Sequence, residues 1–210
     1  MKYKDTLTKI EKLYSDNLKK HGTVSSAVGW PKPDEQDLRF EKLTSIVDIS
    51  PGEPITVNDY GCGYGAHLTY LVEKCGLNIS AYNGYDISSE MLEEAERQLN
   101  WFDGDLNLIC QSDIETTADF TFVSGTFNVR FEATDEKWQE FIEGKLAEID
   151  KYSSRGFSFN LLSTYVDWKA DDLFYGDPLY WFDYCKRKFS KEVALLHDYP
   201  LYEWTLLVRK

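Results

Sequence analysis

The sequence predicts an α/β protein built on a mostly parallel sheet, and three observations carry that prediction. From residue 54 onward, short apolar runs of strand type alternate with stretches whose apolar residues recur at helical spacing. The first of these strands runs straight into a glycine-rich turn, Gly61-Cys62-Gly63-Tyr64-Gly65, which opens a helix. At the far end, two strand candidates are joined by the short connection Asp198-Tyr199-Pro200, and such closeness favours an antiparallel pair because a parallel crossover needs roughly a dozen residues or more.

Two helices precede the sheet. Residues 3 to 20 place Leu7, Ile10, Leu13, Tyr14 and Leu18 on one helical face, and residues 34 to 49 do the same with Leu38, Leu43, Ile46 and Val47. Gly52 and Pro54 then punctuate the chain, and Ile55-Thr56-Val57 reads as a buried strand. The segment 66–74 puts Leu68, Leu71 and Val72 on one face of a helix. A second strand, Ile79 to Tyr85, ends in Asp86, and Ser88 or Ser89 caps a helix running from Glu90 to Leu99. Leu106 to Gln111 and Phe120 to Phe127 read as the third and fourth strands. A helix from Asp135 to Lys151 bears Trp138, Phe141, Ile142, Leu146 and Ile149, and Gly156 to Leu162 is the fifth strand. The pair Lys191 to His197 and Tyr202 to Val208 closes the pattern.

The glycine turn points to a nucleotide-like cofactor. A residue without Cβ lets the backbone bend sharply and come within contact distance of a ligand. Asp86 stands about 20 residues beyond the turn, where a carboxylate accepts hydrogen bonds from both hydroxyls of a ribose. The run Gly61-Cys62-Gly63-Tyr64-Gly65-Ala66 also fits the nicotinamide-dinucleotide fingerprint. Three details weigh against that reading. Asp59, two residues before the first glycine, would repel a pyrophosphate but can take the ammonium of an amino-acid-bearing cofactor; the unit starts more than fifty residues into the chain; and Asp113-Ile114 after the third strand offers a carboxylate to an adenine amino group. Together they indicate S-adenosylmethionine.

With these residues in place, the chain resembles the class I S-adenosylmethionine-dependent methyltransferases over roughly residues 20 to 210. The resemblance implies a Rossmann-like three-layer sandwich with a seven-stranded, mostly parallel sheet and a reversed C-terminal strand, in one domain spanning 1–210. It implies that Asp59, Gly61, Gly63 and Gly65 surround the methionine moiety, that Asp86 binds the ribose and that Asp113 lies near the adenine, with Cys62, Ile87, Ile114 and Ser124 beside them. The segment Val28-Gly29-Trp30-Pro31, followed by Gln36 and Arg39-Phe40, is similar to a lead-in of some small bacterial members in which an aromatic and an arginine close the cofactor pocket. That likeness makes Trp30 and Arg39 cofactor residues, Arg39 pairing with the carboxylate by a charge-assisted contact, and lets residues 1–50 cover the site.

Composition narrows the setting. A chain of 210 residues can bury one sizeable core, and no Pro/Gly/Ser-rich linker divides it. The formal charge of -13 repels polyanions, so nucleic acid is not the expected partner. Consistently, Ser124-Gly125-Thr126-Phe127-Asn128 stands where many enzymes that methylate exocyclic or amide nitrogens carry a proline pair. No apolar run approaches a membrane span and the charged start does not read as a signal peptide, so a cytoplasmic protein, monomeric or homodimeric, is expected. The four cysteines, Cys62, Cys75, Cys110 and Cys185, lack paired spacing; neither a disulfide framework nor a metal site is indicated.

Transfer of a methyl group from a sulfonium is an in-line displacement with a neutral leaving group, so the protein mainly aligns the acceptor. A base is needed only where the acceptor must lose a proton. His67, at the start of the first crossover helix, and His197, next to Asp198, are the candidates, with Tyr165 and Tyr64 able to orient an acceptor hydroxyl. Between the fifth strand and the final pair, residues 164–190 crowd Tyr165, Trp168, Phe174, Tyr175, Tyr180, Trp181, Phe182 and Tyr184 among Asp167, Asp171, Asp172, Asp177 and Asp183. This composition reads either as an acceptor-side cover able to stack on a sugar or as core packing against the sheet. The expected function is methyl transfer to a small non-nucleic-acid acceptor, oxygen favoured over nitrogen, on a sugar or other surface-polysaccharide component. The alternatives are an NAD(P)-dependent oxidoreductase and a non-catalytic methyltransferase-like partner subunit.

Overall fold

The computed structural model describes residues 3–23 and 33–210. Its strands are β1 (Pro54–Tyr60), β2 (Asn78–Asp86), β3 (Asp105–Cys110), β4 (Ala118–Val123), β5 (Ser153–Ser163), the two-residue β6 (Tyr175–Gly176), β7 (Glu192–Leu196) and β8 (Glu203–Arg209). They form one sheet in the order β3-β2-β1-β4-β5-β8-β7, with β6 paired to β5 off that path. Strands β1 to β5 are parallel, and β8 alone runs against both of its neighbours, β5 and β7. The reversed final strand is therefore present. The expected seven strands become eight because β6 adds two residues beside Leu162 and Ser163, a run too short to leave a periodic signal.

The helices are α1 (Lys4–His21), α2 (Pro33–Thr44), α3 (Ala66–Thr69) continued by a π-helical turn (Tyr70–Lys74), α4 (Ser89–Gln98), α5 (Asp135–Lys151) and α6 (Pro178–Lys188). Short polar side chains start three of them by accepting an otherwise orphaned N–H. Ser88 takes that of Met91, Thr134 that of Lys137, and Asp177 that of Leu179 with Pro178 at the first helical position. Apolar faces then divide the helices between two layers. Leu43 of α2, Leu68 of α3 and Leu92 and Ala95 of α4 pack with Ile55, Val57, Phe120 and Phe122 on one side of the sheet. Ile10 of α1, Trp138, Ile142 and Leu146 of α5, and Trp181 and Cys185 of α6 pack with Phe157, Phe159, Trp204 and Val208 on the other. Each such fully buried side chain contributes about 1.5–3 kcal/mol of burial.

Polar ladders lock the register. Asn58, Asn83 and Asn107 sit opposite one another on β1, β2 and β3. Asn83 donates to Asn58 at 2.9 Å and Asn107 donates to Asn83 at 3.1 Å. A one-residue slip would turn this row to the other face and leave buried amides unpaired, which makes the alignment of the strand tips sharply defined.

Three boundaries differ from expectation. Helix α2 stops at Thr44 although Ile46 and Val47 continue its apolar pattern, because Ser45 bonds back to the Glu41 carbonyl and the next two amides make tighter bonds three residues back. Strand β4 stops at Val123, since Gly125 takes φ 68° and gives its N–H to Asn160 while the Thr126 hydroxyl bonds the Tyr60 carbonyl. The helix after the glycine turn keeps α geometry for only four residues before widening into the π turn, a departure that recurs next to functional sites. Among the described residues no helix is long and apolar enough to cross a membrane.

Candidate functional site

A cleft opens at the carboxyl ends of β1, β2 and β4, where ligands bind in open α/β sheets. It is lined by backbone of the glycine turn and by side chains of both helical layers. Asp59, Tyr60, Gly61, Cys62, Gly63 and Tyr64 form its floor, Asp86 and Ile87 one side, Ser124 to Phe127 the other. Leu7, Ile10 and Tyr14 of α1 and Gln36 and Phe40 of α2 close it from above, and Trp138 and Phe141 of α5 add an apolar wall.

The glycine turn has its shape because nothing larger fits. Gly61 and Gly63 hold φ values of 78° and 55°, a region that side chains with Cβ rarely adopt. A Cβ on Gly61 would lie 2.3 Å from the Thr126 hydroxyl. Asp86 pins the turn from the neighbouring strand: one oxygen accepts the N–H of Gly63 at 2.9 Å, the other that of Ser88 at 2.9 Å. The same carboxylate thus sets both the loop and the start of α4. Burial raises its pKa against the lowering effect of these N–H donors.

Behind the turn, Asp59 and His67 form an unusual buried pair. Asp59 accepts the Tyr82 hydroxyl at 2.6 Å, and burial pushes its pKa up to about 7. His67 is stacked on Phe40 at 4.4 Å between centroids, meets Phe122 edge-on, and has its pKa driven down to about 3 by burial. It is a neutral imidazole at pH 7. Its Nε2 lies 3.4 Å from the Thr44 hydroxyl, while Nδ1 is buried without a partner, 3.9 Å from Asp59.

No protein-family model matches the sequence. Magnesium protoporphyrin IX methyltransferase (ChlM) from Synechocystis PCC 6803, with S-adenosylmethionine bound, superposes with a TM-score of 0.66 over 98% of this chain and 97% of its own, at 15% identity. The DhpI complex with S-adenosylhomocysteine gives 0.66 over 97% of each chain at 11% identity. At those identities the likeness establishes the fold. In sequence, Rv1506c of Mycobacterium tuberculosis (strain ATCC 25618 / H37Rv), named as a candidate methyltransferase, is 46% identical over 166 residues, 77% of this chain and 97% of the relative. The chain belongs to the class I S-adenosylmethionine-dependent methyltransferases.

The residues of this methyltransferase fit that cofactor. The turn at Gly61 and Gly63 leaves backbone bare toward the cleft, Asp86 stands at its side, and the orphaned Nδ1 of His67 and the carboxylate of Asp59 offer acceptors to an ammonium group. When bound, S-adenosylmethionine supplies an electrophilic methyl on sulfur. Of the residues expected at the cofactor, Asp59, Gly61, Cys62, Gly63, Asp86, Ile87 and Ser124 all line the cleft. Gly65 does not: it backs onto Leu99, whose Cδ1 would lie 2.6 Å from a Cβ there. Trp30 lies outside the described residues.

Three further expectations are corrected. Arg39 is turned away from the cleft, its Nε bonded to both carboxylate oxygens of Glu203 at 2.6 and 2.8 Å, with both side chains buried. This pair ties α2 to β8. Asp113 does not line the cleft; Lys145 of α5 holds its carboxylate and lowers its pKa. Ile114 is packed in the core, its N–H taken by Glu148. Gln111 and Ser112 occupy that stretch of wall instead. Of the residues expected to act on the acceptor, His67 and Tyr64 line the cleft. His197 and Tyr165 meet each other at 5.8 Å between centroids on the surface.

The 164–190 segment resolves toward packing. Trp181 and Cys185 of α6 are buried against the sheet, the Trp204 indole donates to the Gly176 carbonyl, and no residue of the segment lines the cleft. Conversely, Tyr14, Gln36, Phe40, Thr126, Trp138 and Phe141 line the site although sequence reading placed no site role on them. Their apolar periodicity reads as core, and the only available signal was the nearness of Gln36 and Phe40 to the expected lead-in.

The Arg39–Glu203 pair yields a stability prediction. Arg39→Ala leaves a buried carboxylate without its cation and is expected to cost about 3–5 kcal/mol, whereas Arg39→Met combined with Glu203→Leu should recover most of the loss. Urea unfolding of both variants measures it; equal destabilisation by the single and double substitution would contradict the ion-pair account.

Proposed function

We propose that this methyltransferase seats the methionine part of S-adenosylmethionine over the Gly61–Gly63 turn and its ribose at Asp86, and carries the methyl group to an oxygen of a small non-nucleic-acid acceptor in the cytoplasm. The observation that carries the reading is the placement of two carboxylates, the buried Asp59 and the half-buried Asp86, at the tips of adjacent strands beside a bare glycine turn in one cleft. Residues 1–50 act as the cover of that site and the whole chain as one methyltransferase domain.

The acceptor class we propose is a sugar or another component of a surface polysaccharide. Tyr165 and Trp168, 66% and 74% exposed, stand with Asp167, Asp198 and His197 past the ends of β5 and β7, at the edge of the sheet where the cleft opens. Ring faces there can stack on a sugar while carboxylates take its hydroxyls. A second reading, an apolar acceptor, is favoured by Leu7, Ile10, Phe127, Trp138 and Phe141 inside the cleft. In either case His67 is a weak base, because a ring whose pKa is driven down to about 3 by burial has little affinity for an acceptor's proton. Alignment, with Tyr14 and Tyr64 as polar contacts in the cleft, is the main device.

Titration calorimetry with S-adenosylhomocysteine, NAD and NADP in parallel tests the cofactor. Binding of the first alone is expected; binding of a nicotinamide dinucleotide alone would support an oxidoreductase, and no binding at all a non-catalytic subunit. Release of S-adenosylhomocysteine across monosaccharides and apolar hydroxyl compounds then separates the two acceptor readings.

The cofactor affinity should also depend on pH in a stated direction. Asp59 protonates near pH 7 in the free protein, and only its ionised form attracts an ammonium. Affinity for S-adenosylhomocysteine is expected to fall as pH drops below about 7, approaching tenfold per unit, and to level off above it. Folding stability of the free protein moves the opposite way: the native state binds the Asp59 proton more tightly than the unfolded chain, so this contribution is present below the unfolded carboxylate pKa and is lost as pH rises through about 7. Asp59→Asn should flatten both profiles.

A further inference from the structure

We propose that Nδ1 of His67 accepts an N–H of the cofactor's α-ammonium group and shares that group with Asp59, so that a helix histidine outside the glycine turn is a cofactor-binding residue. The inference rests on the S-adenosylmethionine reading of the cleft. Its starting point is an unpaid polar atom: His67 lines the cleft, and its Nδ1 is buried and has no hydrogen-bond partner. A buried acceptor left unmatched costs free energy unless something bound supplies the donor.

Geometry limits what that donor is. Nδ1 and the Asp59 oxygen are 3.9 Å apart, too far to bond each other, yet one nitrogen can lie about 2.9 Å from both. That nitrogen must carry at least two hydrogens, one for each acceptor, and beside a carboxylate it is best cationic. An ammonium satisfies both demands; a hydroxyl, with one hydrogen, satisfies neither. The histidine is set up to accept. If Nε2 carries the ring proton and donates it to the Thr44 hydroxyl, Nδ1 is left with a lone pair to accept, 3.9 Å from Asp59. Phe40 stacked on one face and Phe122 at the edge hold the ring in that orientation.

The groups around Asp59 agree with a cation arriving there. Tyr82 of β2 donates its hydroxyl to the carboxylate, Asp86 at the tip of β2 adds negative potential, Cys62 of the turn is a buried thiol, and His67 of α3 is neutral. None of these brings a positive charge. Among them the Asp59 carboxylate is the site that an ammonium compensates, with His67 as its second acceptor.

Amide substitutions separate the two ring nitrogens. His67→Asn puts an amide oxygen near the position of Nδ1, while His67→Gln reaches toward that of Nε2 and keeps the Thr44 contact. Titration calorimetry is run with S-adenosylhomocysteine and with 5′-methylthioadenosine, which has the nucleoside and sulfur but no amino-acid group. The expected result is a loss on the order of tenfold or more in S-adenosylhomocysteine affinity for His67→Gln. His67→Asn should retain most of that affinity, and both variants should bind methylthioadenosine as the wild type does. Unchanged S-adenosylhomocysteine affinity in His67→Gln, or parallel loss of both ligands, would overturn the proposal, the latter by showing a role in packing alone. Failure of the wild-type protein to bind S-adenosylhomocysteine would overturn the cofactor reading beneath it.

Discussion

Asp86→Ala is expected to weaken S-adenosylhomocysteine binding on the order of 100-fold or more, because one side chain performs two tasks that fail together. In the free protein its oxygens accept the N–H groups of Gly63 and Ser88, each at 2.9 Å, so the carboxylate fixes the turn and the first residues of α4. In the proposed bound state the same carboxylate accepts the ribose hydroxyls, and hydrogen bonds to a charged group are worth about 1.5–3 kcal/mol each. Its raised pKa, caused by burial, shows that the protein accepts a desolvation cost to keep an acid at this point. Asp86→Asn keeps one acceptor oxygen and should lose less. Calorimetry on both variants, with circular dichroism to confirm the fold, measures the effect; wild-type affinity in Asp86→Ala would remove this residue from the site.

Gly61→Val should abolish measurable cofactor binding while leaving the sheet intact. Two costs coincide there. The backbone at φ 78° is strained for a side chain bearing Cβ, by roughly 1–2 kcal/mol, and worse for a β-branched one. The added Cβ also meets Thr126 at 2.3 Å, and that side chain has little room to retreat because its hydroxyl is bonded to the Tyr60 carbonyl. Relief comes only by moving the turn, which carries Gly63 off Asp86 and spoils the cofactor surface. Gly61→Ala combined with Thr126→Ala removes the two closest contacts, leaving the Thr126 Cβ position at 3.0 Å and the strain in place, so it should bind detectably yet below wild type. Normal S-adenosylhomocysteine affinity in Gly61→Val would contradict the assignment of the turn.

Both predictions concern residues whose proposed roles were already expected from the sequence. Local chemistry explains why. A glycine turn between a strand and a helix is a short-range feature, encoded in consecutive residues, and the acid that faces it lies one β-α-β unit away with a spacing set by that unit. Net charge and the reversed terminal strand were legible for the same reason: each depends on composition or on neighbours in sequence.

What failed to be legible depends on which side chains from distant segments meet. Arg39 carries the charge expected of a carboxylate-binding residue, but Glu203, 164 positions away, stands closer to it than the cleft does. Asp113 has the right place after its strand, yet Lys145 of α5 reaches it first. The aromatic run at 164–190 looked equally suited to a cover or a core; α6 docks through Trp181 and Cys185, because a large apolar surface is worth more buried than exposed, while Tyr165 and Trp168 stay exposed.

The sequence by itself determined the α/β alternation, the glycine turn with Asp59 and Asp86, and through them the methyltransferase class, since all of these follow from local pattern and short spacing. Only the tertiary structure decided that α5 walls the cleft, which side chains of α1 and α2 line it, and that Arg39 and Asp113 are held by other partners. It likewise decided that His67 is a neutral ring with one nitrogen left over. Those outcomes depend on burial and on contacts between segments far apart in the chain, and burial is what moves the Asp59 and His67 pKa values in opposite directions.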